Sequence, residues 1–190
     1  MLSRPALVSS ALHVALILTA AIGVGTATLG NDYVFDDHML LGGSAPLIVG
    51  DAPFLSAFTS RYWGSAPEAS PTELYRPVTI ASLGLTARLA GSGPTWMHAV
   101  NILLHAATAV MAYLLVRALF GRPWLALLSS LIVAVHPIAT EVVSPASGRA
   151  DLLAALFTLA ACLCALAACR RRGGRRAAGR SRAAPCSPPG

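Results

Sequence analysis

Asn31-Asp32-Tyr33-Val34-Phe35-Asp36-Asp37-His38 places four ionisable groups directly behind a long apolar segment that begins near Pro5. A carboxylate in that position is a candidate general base for drawing a proton from a hydroxyl nucleophile, and two side by side also offer a divalent cation a place. The plain alternative for the Asp36-Asp37 pair is a solvated cap at the start of a helix. Further polar groups follow at intervals: Arg76 in Tyr75-Arg76-Pro77, His98 and Asn101, His136 and Glu141, then Arg149 and Asp151. Each arginine is able to grip a phosphate through paired N–H bonds, or to pair with a local acid such as Asp151.

The elements that must carry these groups are membrane helices. Of 190 residues, 55% are apolar and 12% charged, and the mean hydropathy of +0.65 is too high for an ordinary soluble domain. Pro5 to Leu29 contains no charge and exceeds the roughly twenty residues needed to cross a bilayer; a cleaved signal peptide would have an apolar region of only about 7–15. The expected organisation is a first transmembrane helix within 1–29, an extracytoplasmic loop with the acidic motif over 30–93, three further transmembrane helices over 94–169, and a disordered basic cytoplasmic tail over 170–190. The loop holds six of the eight acids, with short amphipathic helices expected at 52–63 and 78–89. The later spans are expected at 95–119, 124–143 and 150–169. The fold class is therefore all-α and multi-pass.

On the second span His98, Asn101 and His105 stand at i, i+3 and i+7, within about 60° of one another, a stripe that must face protein or water and reads first as a bond between helices. His136-Pro137 should bend the third span near its outer end, because proline removes a donor and clashes with the preceding turn. The basicity comes from fourteen arginines without a lysine, and seven lie at 170 or beyond. Under this topology ten arginines fall inside and four outside, which puts both termini in the cytoplasm. Every carboxylate then lies at one face of the membrane. A basic tail directly after a span suits anionic lipid rather than nucleic acid. The four cysteines read as small apolar residues, not as a disulfide or metal framework.

Taken together, Val34-Phe35-Asp36-Asp37-His38, Tyr62-Trp63-Gly64, Tyr75-Arg76-Pro77-Val78-Thr79, His98-Ala99-Val100-Asn101, His136-Pro137-Ile138-Ala139-Thr140-Glu141-Val142-Val143 and Gly148-Arg149-Ala150-Asp151-Leu152-Leu153-Ala154 resemble the N-terminal part of the transmembrane and tetratricopeptide-repeat protein O-mannosyltransferases and their bacterial relatives. The resemblance implies a GT-C type membrane glycosyltransferase, using a polyprenyl- or dolichyl-phosphate sugar, a mannose donor by family, and a protein Ser/Thr acceptor. It implies Asp36 or Asp37 as the catalytic base and His38, Arg76, His98, Asn101, His136, Glu141, Arg149 and Asp151 as substrate-binding residues, with a divalent metal admissible as cofactor. It places the chain in a bacterial inner membrane or the endoplasmic reticulum. The family has more spans and then helical repeats, so the chain is expected to be an N-terminal or truncated form. The alternatives are a noncatalytic four-span protein whose outer loop binds a partner, and a transporter fragment relaying protons through His98, His105 and Glu141.

Overall fold

A computed structural model describes residues 4–43, 45–50, 52–64 and 74–182, and the regular elements among them are all helical. They are α1 (Arg4–Gly25), α2 (Asp36–Gly43), α3 (Ala45–Ile48), α4 (Pro77–Ala90), α5 (Pro94–Phe120), α6 (Pro123–Val135), α7 (Thr140–Val143) and α8 (Arg149–Arg182). Local signals set their limits. Helices α4, α5 and α6 each carry proline in the first turn, where the missing N–H has no helical partner to lose. Helix α5 stops at Gly121, whose φ of 68° is open to glycine at little cost.

Three helices are long and apolar enough to cross a membrane, around Ser9–Thr28, Pro94–Phe120 and Arg149–Arg172. The expected third span is a broken one: Pro123–Val135 and Pro137–Val143 meet at a bend of 52°. The break falls where the residue before Pro137 is driven out of helical geometry, with His136 at ψ 131°. The chain is a multi-pass membrane protein, with three spans among the described residues, or four if the bent pair counts as one.

Helix α5 is the hub, with α1, α6 and α8 packed around it. Arg117 near the end of α5 donates to Ser10 near the start of α1 at 2.5 Å, and Arg170 on α8 donates to the carbonyl of Ala118. At the opposite end Arg149, the first residue of α8, reaches Met97 on α5. Thus α1 and α6 run one way, α5 and α8 the other, and both ends of the described chain lie at the same end of the bundle. The bundle core is Ile17, Ala21, Ala106, Ala109, Tyr113, Ala126, Leu127 and Ala134. Its alanines let backbones approach closely, which is how helices gain packing energy where lipid is as apolar as leucine. His13, buried on α1, stands 3.2 Å from the Tyr113 hydroxyl, which also accepts from Arg117.

At the other end a cap of α2, α3, α4 and a 3-10 turn at Phe54–Phe58 closes over Leu40, Ile48, Ala57, Tyr62, Ile80, Leu83, Met97 and Ala146. Helix α4 covers the segment expected at 78–89. In the segment expected at 52–63 only Phe54–Phe58 is helical, because the hydroxyls of Thr59 and Ser60 bond back to the carbonyl of Ser56 and compete with a continuing helix. Helix α8 continues past the expected limit at Cys169 as far as Arg182, through a run dominated by arginine, a good helix former, in spite of Gly173, Gly174 and Gly179. The expected disordered tail therefore falls partly on α8 and, from 183 on, outside the described residues, as do Asp51, Glu68 and Glu73. Cys162, Cys164 and Cys169 are free and exposed along α8.

Candidate active site

Helix α2 is short, and its first two residues are turned to opposite uses. Asp37 is fully buried, and its two oxygens accept from the backbone N–H groups of Ala146 (3.0 Å) and Ser147 (2.9 Å) in the turn that leads into α8. Asp36, one residue earlier, is exposed on the wall of a cavity of about 710 Å³. The backbone that delivers them is strained. Phe35 has φ 40°, the one positive value at a non-glycine among the described residues, a conformation that costs on the order of 1–3 kcal/mol.

The remaining walls come from three places. Tyr62, Trp63, Leu74 and Arg76 line one side, Thr140 and Glu141 another, and Ser144, Pro145, Ser147, Gly148 and Asp151 the base of α8. The Arg76 guanidinium lies 5.0 Å from the centre of the Tyr62 ring, which in turn meets Trp63 edge to face at 4.8 Å. Burial pushes the Tyr62 phenol up, the Arg76 charge and hydrogen bond draw it back, and the Asp37 and Asp36 charges add to the rise. Tyr62 is therefore a neutral donor, 3.4 Å from the Ser147 carbonyl. Gly148 permits the closest approach in the wall: a β-carbon there would stand 2.3 Å from the Val142 carbonyl oxygen.

A second cavity of about 350 Å³ adjoins the first. Arg76 and Asp151 line both, and the rest of the second is mostly apolar: Pro77, Val78, Thr79, Ala150, Leu153, Ala154 and Phe157. It runs between the first turn of α4 and the membrane-crossing part of α8. A polar chamber thus joins an apolar groove across one arginine and one carboxylate.

Of the residues singled out in the sequence, Asp36, Arg76, Glu141 and Asp151 meet on the large cavity. Asp37, His38, His98, Asn101, His136 and Arg149 do not line it. Arg149 is fully buried, and its described partners are all neutral: Asn101 Oδ1 at 2.9 Å, Thr86 Oγ1 at 2.8 Å, and the carbonyls of Met97 at 2.8 Å and Ser82 at 3.2 Å. It ties α8 to α4 and α5 rather than pairing with Asp151. Asn101 spends its amide on the carbonyls of Pro145 (2.7 Å) and Val143 (3.4 Å).

His98, His105 and His136 are committed to the backbone as well. His98 Nε2 donates to the Asn31 carbonyl and His105 Nε2 to that of Ala134, each at 3.2 Å, so the stripe on α5 bonds it to its neighbours. His98 Nδ1 is buried without a hydrogen-bond partner among the described residues. His136 Nδ1 accepts from the Ile138 N–H and caps the turn after the break. His38 is exposed on α2. No three His, Cys, Asp or Glu side chains converge to hold a metal among the described residues. Tyr62, Trp63 and Phe35 stand on the cavity without having been assigned a role from sequence; the Tyr-Trp-Gly triplet was visible, but nothing in it says which way the rings point.

A protein-family profile described as dolichyl-phosphate-mannose-protein mannosyltransferase matches residues 71–177. The chain is 36% identical over 163 residues to protein O-mannosyl-transferase tmtc2 of Xenopus laevis, covering 84% of this chain and 19% of that protein. It is 36% identical over 138 residues to protein O-mannosyl-transferase TMTC1 of Homo sapiens, covering 72% of this chain and 16% of that protein. Against protein O-mannosyl-transferase TMTC4 of Mus musculus it is 34% identical over 143 residues, covering 67% of this chain and 19% of that protein. The chain thus spans about a fifth of the length of these curated relatives. No solved structure matches it.

Proposed function

Since the chain belongs to the dolichyl-phosphate-mannose-protein mannosyltransferase family, we propose that its large cavity is the transfer chamber of a membrane glycosyltransferase and that Asp36 is the base. The donor is a polyprenyl- or dolichyl-phosphate hexose, mannose by family, and the acceptor a Ser or Thr hydroxyl of a protein. Asp36 takes the hydroxyl proton as the oxygen attacks the anomeric carbon. The bond from that carbon to the phosphate oxygen breaks, the configuration inverts, and the lipid phosphate leaves with its charge facing Arg76. The polyprenyl chain begins in the apolar groove between α4 and α8. Glu141 and Asp151 offer acceptors for sugar hydroxyls.

The observation that carries this reading is the position of Arg76: it stands on the chamber that holds Asp36 and on the groove suited to a lipid chain. A lipid-phosphate donor has that same division into polar head, anionic joint and apolar chain. The arginine distribution supports a chamber on the extracytoplasmic or lumenal side with both termini in the cytoplasm, in the endoplasmic reticulum if the host is eukaryotic. Radiolabelled polyprenyl-phosphate mannose and a Thr-containing peptide, supplied to membranes holding the chain, test the reading. Transfer is expected and should fall by about 10²–10⁴ in Asp36→Asn. Transfer equal in the variant and the parent would remove Asp36 from the reaction, and none by the parent would reject activity for this chain.

A further inference from the structure

The most exposed large apolar side chain among the described residues is Phe35, at 90%, and it lines the chamber next to Asp36. Hydrophobic exposure at a membrane boundary is ordinary by itself, and here it comes with a backbone that resists relaxation. Phe35 holds φ 40° between two fixed points: Asp37 is anchored to the Ala146 and Ser147 amides, and the Asp37 N–H bonds to the Val34 carbonyl at 2.9 Å. A left-handed phenylalanine persists only where its surroundings impose it. Its ring is thereby presented outward, not folded onto the cap core beneath.

What meets that ring follows from the layout of the chamber. Arg76 and Asp151 line both the chamber and the groove, while Phe35 lines the chamber alone, beside Asp36. Because Phe35 and Asp36 are adjacent in the same wall, a molecule whose hydroxyl reaches Asp36 comes close to residue 35. We propose that Phe35 is an acceptor-binding residue, its ring packing against the polypeptide that flanks the reactive Ser or Thr. This rests on the transferase reading and adds to it where the acceptor lies. The ring supplies contact area for extended chain at low entropic cost and reads no particular sequence.

The test uses the full chain in nanodiscs and a fluorescein-labelled Thr-containing peptide, with binding read by anisotropy and transfer read from radiolabelled polyprenyl-phosphate mannose. Phe35→Ala should weaken peptide binding roughly tenfold or more and raise the acceptor KM in proportion, with kcat little changed. Phe35→Trp should restore both. Phe35→Gly should lose the peptide equally while melting no lower than the parent, because glycine accepts φ 40° without strain; that separates contact from folding. Binding and KM within twofold of the parent in Phe35→Ala would overturn the proposal while leaving the transferase reading intact. Phe35-dependent binding without transfer would overturn the transferase reading alone, and a parent that fails to bind the peptide would overturn the acceptor site.

Discussion

Asp36 and Asp37 are neighbours in sequence with separate fates, and the difference is measurable. Replacing Asp37 by Asn puts an amide N–H against one of the two backbone donors it now satisfies, which should cost about 1–3 kcal/mol of stability. The expected signature is a lower melting temperature with transfer retained by the folded fraction, the reverse of the signature of Asp36→Asn. An unchanged melting temperature would show that the buried carboxylate does not hold the α8 turn. Tyr33 gives a second residue-scale handle. Burial, reinforced by the charge of Asp37 and opposed by that of Arg149, raises its phenol from the ordinary 10 to about 12. The folded chain thus keeps a proton that the unfolded chain loses, so this contribution is full below pH 10 and disappears as pH rises towards about 12. Tyr33→Phe should flatten the alkaline loss of stability over that window in a melting series; an unchanged slope would assign the loss elsewhere. The identity of the acids was legible in the sequence, but their division was not, since the burial of Asp37 depends on two amides 109 and 110 positions away.

Among the elements, the spans were the most legible part, because length and apolar composition alone decide whether a helix can cross a bilayer. The break before Pro137 was legible for the same local reason, a ring that no helix interior tolerates. The cap was less so, since Phe54–Phe58 and α4 are fixed by packing on Met97 and Ala146 from distant parts of the chain. Arg149 shows the limit of composition as a guide: a cation beside an acid suggested an ion pair or a phosphate clamp, and it proves to be the bolt between α8, α4 and α5. The turn from α7 into α8 depends on Gly148 in a way that only the fold reveals. Gly148→Ala would press a methyl group against the Val142 carbonyl and should cost about 1–3 kcal/mol, seen as reduced folded yield and a lower melting temperature. A variant as stable as the parent would mean that the α7–α8 turn yields freely.

At the scale of the molecule, a four-helix arrangement with α1 and α6 antiparallel to α5 and α8 puts the chamber at one end and both ends of the described chain at the other. In a cysteine-free background, Ala139→Cys should react with an impermeant maleimide from the extracytoplasmic side and Gly121→Cys from the cytoplasmic side; the opposite pattern would invert the proposed orientation. The bolt at Arg149 also has a meaning in time. Its acceptors are Met97 and Asn101 on α5 and Ser82 and Thr86 on α4, all made before α8 as the chain is synthesised. Until they receive it, α8 carries an uncompensated charge at its head, and such a helix is reluctant to enter lipid. Docking that arginine also brings the Ala146 and Ser147 amides to Asp37, so settling α8 into the membrane and aiming the loop that carries the proposed base are one event.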